Sequence, residues 1–253
     1  MEFSAKHRYL IISAVVLMVA ILFWRARVPA LEFRSREAPL GFRELILNGT
    51  SSSIDPLLGF ANPGANSDGA LAGKDLCDRL RHDPASPVLG ADDAVLSIVE
   101  FFDYRCPYCK RLTDMLRQIH DDDPSVRIVY KEWPVLGARS TLAARAALAA
   151  GMQGQYQAFH AGLMGSRFLP SMGYIEGLAT DLGLDVQRLR ADMSAPRMTA
   201  ALQRTSDLAK TFGFRGTPSL VVGRTVVQGA ISEAALRRLV EIEAGRSDRS
   251  CPG

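Results

Sequence analysis

From Ala94 to Asp103 the chain reads AVLSIVEFFD, a mostly apolar run rich in β-branched and aromatic residues. A run of this kind suits a strand covered on both faces. A short polar turn follows, and Cys106-Pro107-Tyr108-Cys109 opens a helix. Leu112, Met115, Leu116 and Ile119 then fall at i, i+3, i+4 and i+7, one apolar stripe. Asp121 to Pro124 stops that helix, and VRIVYKEW (Val126–Trp133) reads as the next strand. Strand, helix and strand with short joints predict a βαβ unit.

The following stretch has helical spacing. Arg139–Ala150 is Ala-rich, the best helix former. Tyr156, Phe159 and Leu163 continue the pattern, as do Ile175, Leu178, Ala179 and Leu182. Asp185 suits the cap of a helix carrying Leu189 and Met193, and Pro196 the first turn of one carrying Met198, Leu202, Ala209 and Phe212. Ser219–Val222 and Thr225–Gln228, split by Gly223-Arg224, predict a β-hairpin. Ser232 caps a last helix with Leu236, Leu239 and Val240 on its apolar side. The order is β-α-β, several helices, β-β-α, with no internal repeat.

Upstream of Ala94 the texture differs. Residues 1–30 hold an uncharged apolar stretch, Tyr9 to Trp24, preceded by Lys6, His7 and Arg8 and ended by Arg25. As a helix it rises about 24 Å, a little short of a ~30 Å hydrocarbon core. It reads either as an uncleaved membrane anchor or as a signal segment cut after Ala30, with Val28 and Ala30 as the small residues before the cut. Arg25 and Arg27 sit badly in a cleavage region, which favours the anchor. Counting Arg25, Arg27, Arg34 and Arg36 behind the segment against Lys6 and Arg8 before it would place the bulk of the chain in the cytoplasm. The cysteine chemistry below argues for the other side. Residues 31–90 carry two turn-type strings, NGTSSS and NPGANSDG, with short apolar pieces between them and a possible short helix at Leu71–Leu80. They read as a linker or an accessory extension.

Composition narrows the function classes. With 47% hydrophobic and 23% charged residues in 253, the chain is that of a folded protein rather than a disordered one. A net charge of +3 with no basic run interleaved with aromatics gives no case for nucleic acid. Four cysteines are too few for a disulfide-built mini-protein. No Gly-rich phosphate loop is present, and no organic cofactor is implied.

Cys106 and Cys109 carry the sharpest chemistry. At a helix start the free backbone N–H groups and the helix dipole favour negative charge, so the first thiol is acidified. The thiolate is the nucleophile in disulfide exchange, and a second cysteine one turn on can attack the mixed disulfide. Pro107 fits the first turn, where its missing N–H is no loss. A zinc site would need two more ligands at matching spacing, and His82, His120 and His160 stand isolated.

The string FFDYRCPYC (Phe101–Cys109) with Gly216-Thr217-Pro218 a hundred residues later resembles the DsbA-type thiol–disulfide oxidoreductases of bacterial envelopes. The resemblance implies an α/β, thioredoxin-like fold over residues 91–246, with an inserted α-helical domain at about 137–212. The anchor or signal segment and the linker precede it, and a tail, 247–253, follows. It implies that Cys106 and Cys109 form the redox-active disulfide. It also implies that Pro218 is a cis-proline facing the pair and that Glu100 is a buried acid beneath it, able to take the Cys109 proton. Lys131 in the next strand is a possible partner for Glu100. Thr217 departs from the Val common before the cis-proline in family oxidases, and Thr is usual in isomerases and reductants of the wider group. The direction of electron flow therefore stays open. Cys77 and Cys251 bracket the domain, and in an oxidising compartment two leftover cysteines pair; the alternative is two independent thiols.

The function expected is a periplasmic thiol–disulfide oxidoreductase acting on unfolded or partly folded secreted proteins and reset by a membrane redox partner. The alternatives are a disulfide isomerase or reductase of the same fold, and a copper-binding module using the same thiolates.

Overall fold

The computed structural model describes residues 29–47 and 73–246, together with Val15 and Met18, both helical. The Tyr9–Trp24 segment, both turn-type strings and the tail lie otherwise outside the described residues. Among the described residues no helix is long and apolar enough to cross a membrane.

Two seven-residue strands, β4 (Leu96–Phe102) and β5 (Val126–Glu132), pair in parallel at the centre, and every residue of both is buried. This is why their sequences read as continuous rather than alternating. The helix α2 (Pro107–Asp122) crosses between them, completing the expected βαβ unit. The hairpin β6 (Ser219–Val222) and β7 (Thr225–Gln228) adds antiparallel to the other side of β4. Five helices lie between β5 and β6: α3 (Ala138–Gly151), α4 (Tyr156–Gly165), α5 (Met172–Asp181), α6 (Val186–Ser194) and α7 (Pro196–Thr211). Ser171, Asp185 and Ser232 cap α5, α6 and the final helix α8 (Glu233–Ala244), each accepting from the backbone N–H three residues on. Alanines dominate the buried face of α3, which lets α4, α6 and α7 close upon it.

Residues 31–90 are more than a spacer in their described parts. The strands β1 (Glu32–Ser35) and β2 (Arg43–Ile46) join the sheet beside β7, and β3 (Val88–Leu89) joins beside β5. The sheet runs β1-β2-β7-β6-β4-β5-β3. The helix α1 (Gly73–Arg81) covers the face away from α2 with Leu76 and Leu80, and Phe42 meets Phe212 of the α7 end edge-on at 5.1 Å. Arg43 donates to Glu243 at 2.6 Å and to Thr225 at 2.8 Å, tying β2 to α8.

Side-chain alternation sorts the core into two layers. Ile98, Phe102, Ile128 and Tyr130 face α2 and the inserted helices. Val99, Phe101 and Val129 face α1 and α7. Glu100 shares the parity of the first set, and Lys131 that of the second. The Glu100–Lys131 pairing that the sequence left open is therefore not formed. Register places Glu100 opposite Tyr130, while Lys131 reaches the carbonyl of Arg79 at 2.5 Å and the Ser86 hydroxyl at 2.8 Å across the sheet.

Candidate active site

The site lies where β4 gives way to α2. Asp103 ends the strand with a carboxylate that accepts from its own loop, at Arg105 N–H (2.8 Å), and from the loop after β5, at Leu136 N–H (2.9 Å). Its carbonyl accepts from Cys106 N–H at 3.0 Å. Arg105 bonds back to the Leu136 carbonyl. Thus fastened, Cys106 takes extended backbone (φ −79°, ψ 115°) and becomes the N-cap of α2, with Pro107 in the first turn. The Cys106 sulfur accepts from Cys109 N–H at 3.3 Å, so the thiol stands where a capping oxygen would.

Cys106 and Cys109 are free, whereas Cys77 is disulfide-bonded. Cys251 lies outside the described residues. Both site cysteines are more enclosed than their exchange chemistry suggested. Cys106 keeps only 4% of its surface, and Cys109 keeps none. The asymmetry is preserved all the same, since the sulfur nearer solvent is that of the helix cap.

The opposite wall comes from the segment before β6. Thr217–Pro218 is a cis peptide. The Thr217 carbonyl oxygen lies 3.4 Å from the Cys106 sulfur and accepts its S–H. Hydrogen bonding lowers the Cys106 pKa to about 6: the Cys109 side chain contributes most, followed by the Cys109 N–H, the Thr217 side chain and the Tyr108 N–H, against opposing burial. Burial pushes the Cys109 thiol strongly up, and the neighbouring Cys106 pushes it further. The site thereby favours ionisation of Cys106 and disfavours that of Cys109.

Glu100, in the strand that leads to the pair, is fully buried. Its Oε1 accepts from the Thr113 hydroxyl of α2 at 3.1 Å, and its Oε2 has no hydrogen-bond partner. Burial raises its pKa to about 8, with the Thr113 bond opposing and the Cys106 charge adding to the rise. Its charge in turn raises the Cys109 pKa, so the two groups are in electrostatic reach. The structure thus brings together Cys106, Cys109, Thr217, Pro218 and Glu100. Cys77 stands apart in α1.

Three contributors escaped the sequence reading. Asp103 and Thr113 have no signal beyond ordinary polarity. The third is a buried set behind the loop, Tyr104, Glu132, Tyr156 and His160. Its one available hint was an acid, Glu132, closing a strand whose every residue is buried. Among the described residues no group of three or more His, Cys, Asp and Glu side chains could hold a metal ion.

Comparison with known proteins agrees with this geometry. The family profile described as the DSBA-like thioredoxin domain matches residues 97–241. A thioredoxin-like oxidoreductase from Silicibacter pomeroyi DSS-3 is 44% identical with a TM-score of 0.64, over 67% of this chain and 98% of that one. A periplasmic thioredoxin-like protein from Salmonella enterica serovar Typhimurium is 29% identical with a TM-score of 0.63, over 70% and 99% of the two chains. The Na(+)/H(+) antiporter NhaA of Herminiimonas arsenicoxydans is 29% identical over 61% of this chain. The chain spans only about a quarter of the length of that antiporter and of similar curated relatives. With the profile covering more than half of its residues and a near-complete match to a solved oxidoreductase, this chain belongs to the DSBA-like thioredoxin-domain family, the thiol–disulfide oxidoreductases.

Proposed function

We propose that the protein exchanges disulfides with unfolded or partly folded secreted proteins in the bacterial periplasm. The observation that carries this reading is the split between the two thiols: Cys106 acidified at a helix cap facing the cis Thr217–Pro218 bond, Cys109 buried behind it. In the oxidising direction a substrate thiolate attacks the Cys106 sulfur of the Cys106–Cys109 disulfide. The S–S bond breaks, a mixed disulfide forms on Cys106, and Cys109 leaves as a thiolate that takes a proton. A second substrate thiolate then attacks the substrate sulfur of the mixed disulfide and expels Cys106. The substrate departs with a disulfide, and two electrons stay on the pair. A low-pKa Cys106 is the better leaving group in that last step. A membrane redox partner would remove those two electrons and restore the disulfide.

Glu100 serves as the proton store for Cys109 in this scheme. A carboxyl poised near neutrality can give a proton to the departing Cys109 and take it back when Cys109 attacks. Periplasmic placement is supported by the periplasmic relative and by the bonded state of Cys77. A phosphatase fused after residue 91 should then be active outside the cytoplasm, and activity confined to the cytoplasm would refute it. For the chemistry, Cys106→Ser should abolish exchange, while Cys109→Ser should accumulate mixed disulfides that cannot be resolved. Trapping by Cys106→Ser instead would reverse the two roles.

A further inference from the structure

Behind the Cys106 loop lies a buried polar cluster that the exchange scheme does not use. Tyr104, two residues before Cys106, points its hydroxyl inward, 2.8 Å from Glu132 Oε1 and 2.9 Å from His160 Nδ1. Tyr156 donates to the same Glu132 oxygen at 2.8 Å. Glu132 is the last residue of β5, and Tyr156 and His160 belong to α4 of the inserted domain. All four are buried, and their rings pack on Phe102 and on one another: Tyr104 to Phe102 at 5.3 Å, His160 to Phe102 at 5.0 Å, and Tyr156 stacked on His160 at 5.5 Å. His160 Nε2 has no hydrogen-bond partner.

A hydroxyl donates one hydrogen, so Tyr104 bridges its two neighbours in one of two ways. It gives its proton to Glu132 and accepts from His160 Nδ1–H, or it gives to Nδ1 and accepts from a protonated Glu132. Either arrangement joins the site loop to both the central sheet and the inserted helices. An apolar contact would bury the same ring more cheaply, since buried polar groups are favourable only when paired. What the polar version adds is a fixed position for the Tyr104 ring.

We infer that Tyr104, Glu132 and His160 form a positioning device for Cys106, which holds the Asp103–Cys106 loop against the inserted helical domain and thereby sets the reactivity of the sulfur. The loop spans only Asp103, Tyr104 and Arg105 between strand and cap. Asp103 and Arg105 tie it to the Leu136 loop, and Tyr104 is its one anchor on the inner side. The 3.3 Å N–H···S contact and the Thr217 contact both depend on where that loop places the sulfur.

The inference rests on Cys106 being the exchanging thiol, and the test separates the two ideas. Full-length protein is equilibrated with glutathione, and the Cys106 thiolate is titrated by its ultraviolet absorbance. If the parent protein shows no exchangeable pair, the functional reading itself fails. Tyr104→Phe keeps the ring and leaves Glu132 its bond from Tyr156. It should raise the Cys106 pKa and make the pair less oxidising by about threefold to tenfold in the glutathione equilibrium, the size of one lost hydrogen bond. Tyr156→Phe removes a hydroxyl from the same carboxylate without touching the loop, and should leave both quantities at parent values. His160→Phe removes the Tyr104 bond from its other end, and repeats the test should Tyr104→Phe fail to fold. A folded Tyr104→Phe or His160→Phe with parent pKa and equilibrium would overturn the inference, as would a Tyr156→Phe that shifts them equally.

Discussion

Thr217 touches the reactive sulfur in two ways, and they answer differently to substitution. Its carbonyl accepts the Cys106 S–H, a contact of the backbone that any residue would keep. Its side chain also bonds the sulfur and lowers the Cys106 pKa. A hydroxyl given to a thiolate stabilises the reduced form and makes the disulfide more oxidising. Thr217→Val should therefore raise the Cys106 pKa above about 6 and make the pair less oxidising. Each tenfold change in the glutathione equilibrium is ~30 mV for two electrons, so the shift is readily measured. An unchanged potential and pKa would leave only the backbone contact. Glu100 offers a second test through stability. Its pKa is raised from 4.5 to about 8 on burial. The folded protein thus holds a proton that the unfolded chain releases, and stability present below pH 4.5 is lost as pH rises through 8. Glu100→Gln removes that titration while keeping the acceptor for Thr113. In urea unfolding of the reduced protein it should gain on the parent progressively from about pH 4.5 to 8, by on the order of 3 kcal/mol at pH 7. Parallel stability curves for the two proteins would rule out a carboxyl held neutral.

At the scale of elements, the chemistry that is local in sequence was legible and the chemistry that depends on register was not. The strand Leu96–Phe102, the cap at Cys106 and the stripe of α2 lie within one continuous stretch, so periodicity and a Cys-X-X-Cys spacing were enough to place them. The inserted helices announced themselves through alanines and caps, and the β6–β7 hairpin through Gly223 (φ 55°), whose left-handed backbone suits the turn. Lys131 could not be assigned a partner, because one residue of parallel register decides whether it meets Glu100 or the α1 face. The strands β1 and β2 escaped for a different reason. EFRS and RELI are short and mostly polar, and of their eight residues only Leu45 is buried. Their place is fixed by distant partners: Arg43 with Glu243 and Thr225, and Phe42 against Phe212. Tyr104, Glu132 and His160 are likewise separated along the chain, and no spacing rule connects a loop tyrosine to a histidine on a later helix.

For the molecule as a whole, the remaining cysteines bear on how the domain is closed. Cys77 is buried in α1, the helix that covers the sheet on the side away from the site, and it is disulfide-bonded. Cys106 and Cys109 are free, and the chain has four cysteines. Cys251 is therefore the partner we propose. A bridge from α1 to the segment after α8 would fasten the C-terminal end a second time, beside the Arg43–Glu243 pair that already ties α8 to β2. In the chain-entropy view, closing a loop of this length restricts the unfolded state by about 5 kcal/mol, less where the unfolded chain keeps structure. Peptide mapping of the non-reduced protein should yield a linked Cys77–Cys251 fragment. Replacing both residues with serine should lower the denaturation midpoint, yet leave the Cys106 pKa and the glutathione equilibrium at parent values, since neither residue contributes to the site. A linked fragment joining Cys77 to Cys106 or Cys109, or a shift in the Cys106 titration when the outer pair is removed, would instead make that bridge part of the redox machinery.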